Sequence, residues 1–216
     1  MLVVDEILPP ICNNFEAYGF EANQESFEQV AKKFTDRNNV QLAHKALVHN
    51  PPSNGKIKLY KDMESGLGDS IYRHTTQYEE VECIRLSDFL IENRLIEDNR
   101  IVILRMNIEG AEYDVIQDLV DNELNNCVDG YFGMWDDVSK IDIKRDAEFR
   151  SFLGKHQIHP FTFNGRDLHW SFRRKCIVYH MHTRIMQGLR KLQQVPDSNS
   201  RWKDLTSIRP RSQEKK

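Results

Sequence analysis

Asn107, Glu109 and Glu112 lie close together between a β-branched apolar run, Ile101 to Leu104, and a stretch of helical period, Ala111, Val115, Ile116, Leu119 and Val120. Carboxylates just past the carboxyl end of a buried strand can accept ligand hydroxyl protons or act as a base, and open α/β sheets bind their ligands at that end. Glu112 also suits a helix N-terminus on electrostatic grounds alone. A second such place is Glu21, which closes the segment Glu16 to Ala22 and has Asn23 beside it. An acid at the end of a strand can accept both ribose hydroxyl protons of a nucleoside. A third is Trp135-Asp136-Asp137. Its two carboxylates suit a base or an acceptor hydroxyl, although Asp-Asp after a strand more often caps the next helix.

These residues need elements to hold them. Ile101 to Leu104 alternates too little to be half solvated and predicts a central strand of a parallel sheet. Strands are also expected over 16–22, 40–48, 56–60, 81–85 and 127–135, with 40–48 at an outer position. Helices are expected from Gln24 to about Arg37, over Asp88 to Asn93 with Ser87 as cap, after Gly110, over about Ile143 to His156, and over Met181 to Leu192. His159 to Phe163 and Cys176 to His180 read as two last strands joined by Asn164-Gly-Arg-Asp167.

Met106-Asn-Ile-Glu-Gly-Ala-Glu112 resembles the Asp-[Ile/Val]-Glu-Gly-x-Glu signature of FkbM-type methyltransferases. Tyr18-Gly-Phe-Glu-Ala-Asn-Gln24 resembles the Phe-Glu-Pro-Asn-Pro of the same family, and the order of the two matches is the expected one. The similarity covers roughly residues 16–135. It implies an α/β fold: a Rossmann-like class I methyltransferase sheet, mostly parallel and ending in a C-terminal antiparallel hairpin. It also implies S-adenosyl-L-methionine as cofactor and methyl transfer to a hydroxyl oxygen of a sugar or other small hydroxylated acceptor. Carried onto this chain, Glu21, Asn23, Ala46, Ser70 and Asn107 would meet the cofactor, Ala46 at the adenine edge, while Glu109, Asn107 and Asp136 would serve catalysis. Asn107 stands where the family has Asp. An amide can donate as well as accept, but it cannot take a proton or attract a sulfonium to the same degree.

The N-terminus departs from the family. Where a strand, Asp-x-Gly-Ala-Asn and a helix are expected, Leu2 to Asp5 can supply the strand, yet no glycine precedes Gly19 and Pro9-Pro10 interrupts the place of the helix. The N-terminal strand and helix therefore read as truncated or eroded, which keeps a second class open: a degenerate methyltransferase-fold protein without catalysis, acting as an interaction module.

Composition narrows the rest. A chain of 216 residues with net charge −3 accommodates one α/β domain and offers no general attraction to nucleic acid or an anionic membrane. Its longest apolar runs fall far short of a membrane helix, no signal peptide is recognisable, and a cytoplasmic location is the default. Residues 1–195 are expected to form the domain and 196–216 a polar, disordered tail. Oligomeric state is not legible. Cys12, Cys83, Cys127 and Cys176 show no Cys-x-x-Cys spacing, and the last three read as buried free thiols in strands. His169, Trp170, His180 and His182 lack metal-ligand spacing, and aromatic packing is the better reading. Ser65-Gly-Leu-Gly-Asp-Ser70 lacks the lysine and third glycine of a phosphate loop. Asp142-Ile-Lys is not the Asp-x-Asp pair that a nucleotide-sugar transferase would want.

Overall fold

The computed structural model describes residues 4–5, 8–9, 12, 14–62, 68–96, 100–133, 135, 137–162 and 169–191. They fall into two units, Met1–Asn164 and Gly165–Lys216. In the first, β1 (Ala17–Glu21), α1 (Gln24–Phe34) and β2 (Val40–His44) form a parallel crossover, followed by β3 (Ala46–Leu47), β4 (Lys56–Tyr60) and β5 (Tyr78–Ile84). After α2 (Leu86–Glu92) come β6 (Ile103–Met106), α3 (Glu112–Asp121), β7 (Gly130–Gly133), α4 (Asp137–Ile141), α5 (Ile143–Lys155) and β8 (Phe161–Thr162). The second unit contains α6 (Trp170–Lys191). No helix among the described residues is long and apolar enough to cross a membrane.

The fold is mixed α/β with parallel sheets, as expected, but among the described residues the strands divide into three hydrogen-bonded sheets, β1-β2, β3-β5-β4 and β6-β7-β8. The expected strand over 40–48 breaks at Lys45, whose N–H turns back to the Ala43 carbonyl at 3.0 Å. That kink directs 40–44 to β1 and 46–47 to β5. The strand expected to be central is an end strand: among the described residues β6 pairs with β7 alone. The apolar run Ile101 to Leu104 does not continue through the strand, since Arg105 follows within β6, so the pattern is not that of a strand covered on both faces. β1 and β6 are linked just before their first residues. Glu16 and Arg100, just before each strand, form an ion pair at 2.8 Å, and the guanidinium holds the Glu16 carboxyl below its usual range.

Other expectations are corrected. The C-terminal antiparallel hairpin is not formed: Cys176 to His180 lie inside α6, and Phe161–Thr162 pairs parallel with β7. Ile177, Met181 and Ile185 recur every fourth residue, and this period outweighs the short apolar run that suggested a strand. Val4 and Asp5, half of the proposed first strand, are helical, with the Asp5 carboxylate at Lys33 and Arg37 near the end of α1. Ser87 does not cap α2. The N-cap is Arg85, and Ser87 sits fully buried within the helix. Cys83 is buried in β5, but Cys127 is half-buried in a 3-10 turn and Cys176 is helical; all four thiols are free. The Asn164 to Asp167 joint, Ser65 to Leu67 and the 196–216 tail lie outside the described residues.

Three helices feed strands through the same ending. Arg94, Glu123 and Gln157 follow α2, α3 and α5 at φ of 52°, 60° and 54°. The next residues, Leu95, Leu124 and Ile158, are buried and bond back to the carbonyls of Leu90, Leu119 and Leu153 at 2.7–2.9 Å. This is the Schellman closure, made here with side-chain-bearing residues in a left-handed conformation that favours glycine. Glu123→Gly and Gln157→Gly are each expected to stabilise the fold by about 0.5–1 kcal/mol. Urea midpoints should rise in both variants, and a fall in either would show that the side chain contributes more than its backbone strain removes.

Candidate functional site

The chain leaves β1 at Glu21 and enters α1 through Asn23, whose φ of −77° and ψ of 123° are those of an N-cap. Asn23 Oδ1 accepts the Ser26 N–H at 2.8 Å, and Nδ2 donates to Asp69 Oδ2 at 2.6 Å. The amide expected to touch a cofactor is thus occupied at both ends by the protein. Glu21 is different. Oε1 accepts the Asn23 N–H at 2.9 Å, while Oε2 makes no hydrogen bond to the described residues. That leaves one oxygen of a half-buried carboxylate open at the strand end.

Asp69 is the hub behind Glu21. It accepts the Asp62 N–H at 2.7 Å and pairs with Lys61 at 3.1 Å, and Lys61 also reaches Glu79 at 2.8 Å. Ser70 is 1% exposed, exchanges backbone hydrogen bonds with Tyr60 and donates its Oγ–H to the Glu109 carbonyl at 2.7 Å. One short segment therefore bonds on one side to the residues after β1 and on the other to the turn after β6. The carboxyl ends of the two strands meet there. Ser70 itself is a buried spacer, facing protein.

The turn after β6 is shaped by its own acids. Glu109 and Gly110 take φ of 50° and 105°, and Glu112, fully buried, accepts the Ile108 N–H at 3.0 Å and the Gly110 N–H at 2.8 Å. Since Ala111 provides no side-chain cap for α3, Glu112 turns back and fixes the turn that precedes the helix. Asn107 is exposed and its amide makes no hydrogen bond to the described residues. Glu109 is half-buried at the same turn. The structure thus brings Glu21, Asn23, Ser70, Asn107 and Glu109 into one hydrogen-bonded end of the unit. Ala46 is 5% exposed, its methyl packed with Val48, Leu59, Val81 and Cys83. Asp136 lies outside the described residues.

A further cluster has no counterpart in the sequence reading. The Tyr72 hydroxyl donates to Asp114 Oδ2, and Arg145 Nη2 reaches the same carboxylate oxygen at 2.8 Å and the Tyr72 oxygen at 3.0 Å. The guanidinium also lies over the rings of Tyr72 and Tyr113, at 4.7 and 5.1 Å from their centroids. Burial, with Asp114 beside it, raises the Tyr72 phenol above its ordinary value. The three residues stand 31 to 73 positions apart, and no spacing in the sequence could have joined them.

The family described as Methyltransferase FkbM domain matches residues 11–150, about two thirds of the chain, and the chain belongs to that family. No curated protein and no solved structure matches it.

Proposed function

We propose that this FkbM-domain methyltransferase chain uses S-adenosylmethionine and transfers methyl to a hydroxyl oxygen of a sugar or another small hydroxylated acceptor. The observation that supports this reading is Glu21: a strand-end carboxylate with one oxygen tied to its own turn and the other open, bonded through Asn23, Asp69 and Ser70 to the acidic turn after β6. The donor set suits a nucleoside. The open Glu21 oxygen would accept ribose hydroxyl protons, the Ala46 backbone would lie by the base, and the exposed Asn107 amide would meet the polar end of the cofactor. When bound, the cofactor supplies an activated methyl group. The protein's task is then positioning and removal of the acceptor proton, with Glu109 or Asp136 as the base.

A second reading, a methyltransferase fold that no longer catalyses and serves as an interaction module, is favoured by the first eighteen residues. They contain no glycine, and Val4 and Asp5 are helical. Calorimetric titration with S-adenosylhomocysteine tests both. A site built from the residues of this chain, with no glycine among the first eighteen, would lack two charge-assisted N–H bonds to the amino-acid carboxylate, of roughly 1.5–3 kcal/mol each. Binding should then be two to four powers of ten weaker than in a complete cradle, on the order of micromolar or above. Glu21→Ala should abolish what remains. Sub-micromolar affinity would show that the carboxylate is cradled by other donors, affinity unchanged in Glu21→Ala would move the site elsewhere, and no binding at all would favour the second reading.

A further inference from the structure

We infer that Tyr72 is a positioning residue of this site: its hydroxyl, held by Asp114 and Arg145, latches residues 68–72 onto the turn after β6. The inference rests on the reading of this end of the strands as the cofactor site. The physical chain is continuous. Asp114 lies in the first turn of α3, two residues beyond the Glu112 that laces the acidic turn, and Arg145 lies in the first turn of α5. Together they hold the Tyr72 hydroxyl from two helices, and the ring lies under the guanidinium. The Tyr72 N–H donates to Ser70 Oγ at 3.2 Å, and Ser70 Oγ–H donates to the Glu109 carbonyl at 2.7 Å. Asp69, the neighbour of Ser70, holds Asn23, which holds Glu21.

The tie to Tyr72 matters because Ser70 meets the acidic turn through one side-chain bond, Oγ–H to the Glu109 carbonyl. Its backbone pairs with Tyr60. Glu109 occupies a left-handed conformation that a side-chain-bearing residue holds only when its surroundings fix it. Loss of the Tyr72 hydroxyl should loosen Ser70, release the Glu109 carbonyl and, through Asp69, unsettle Glu21, with no change to any residue proposed to touch a ligand.

Hydrogen–deuterium exchange of the full chain without ligand, compared between wild type and Tyr72→Phe, reads the latch directly. The phenylalanine keeps the ring and its stacking. Exchange should quicken about tenfold in both 68–74 and 107–112, while α1 and β4–β5 keep their protection. Asp114→Asn provides a second variant with the same expected pattern. The S-adenosylhomocysteine dissociation constant should rise three- to tenfold in both, with the melting temperature changed little. Exchange that quickens in 68–74 but not in 107–112, or in neither, overturns the latch. A wild-type chain that binds no S-adenosylhomocysteine overturns the proposed function alone, since the exchange comparison still decides the coupling between the two segments.

Discussion

Glu112→Gln is expected to lower the unfolding free energy by about 2–4 kcal/mol and to abolish ligand binding at the carboxyl ends of β1 and β6. Both oxygens of this fully buried carboxylate accept backbone N–H groups, from Ile108 and Gly110. A glutamine of the same shape can accept only one of them and must aim an NH2 at the other donor. The effect concentrates where the backbone is least able to adapt. Gly110 has a φ of 105°, and an added Cβ would lie 2.5 Å from Ile141 Cγ1. Gly110→Ala should therefore lose binding for the same reason by a different route, strain in place of an unpaired donor. Urea unfolding together with S-adenosylhomocysteine titration measures both. If Glu112→Gln unfolded within about 0.5 kcal/mol of wild type, the turn would be held by something other than this carboxylate.

This separates two roles that the sequence presents side by side. In Glu109-Gly110-Ala111-Glu112 the two acids differ: Glu109 is half-buried, while Glu112 is fully buried and holds the turn, in keeping with the helix-terminus reading that its position also allows. Helical period marks α1 and α5 within a few residues, while the single-residue cap expected at Ser87 fails. The helix expected from Gln24 to about Arg37 is α1, Gln24–Phe34, and the helix expected over about Ile143 to His156 is α5, Ile143–Lys155. What failed depended on distant partners. The break at Lys45 and the end position of β6 are properties of strand pairing, invisible in the apolar character of either segment. Cys176 to His180 suggests a strand because four apolar residues fit a strand or a helix equally, and the arbiter, the recurrence of Ile177, Met181 and Ile185 at every fourth position, runs past the end of that segment. Ser70, expected to meet the cofactor, is 1% exposed, and its Oγ–H links two loops through the Glu109 carbonyl.

Asp118→Ala should be the most destabilising single change away from the site, by about 3–5 kcal/mol. Asp118 and Ser87 are both fully buried, and one carboxylate oxygen accepts the Ser87 N–H at 2.8 Å while the other accepts the Ser87 Oγ–H at 2.6 Å. Ser87 is the second residue of α2, where the N–H has no partner within the helix, and the N-cap Arg85 provides no side-chain bond. Asp118 on α3 thus caps α2 from a distance and fixes the packing of the two helices. Removing it leaves two donors buried without acceptors. Ser87→Ala removes one donor and keeps the cap on the N–H, so it should cost only about 1–2 kcal/mol. In the double variant a single orphan N–H remains, and the two losses should fall short of additivity by about 1–2 kcal/mol. Chemical unfolding of the four proteins closes the cycle. Strict additivity would mean that Asp118 acts on the helix terminus through its charge alone, without the paired bonds that link it to Ser87.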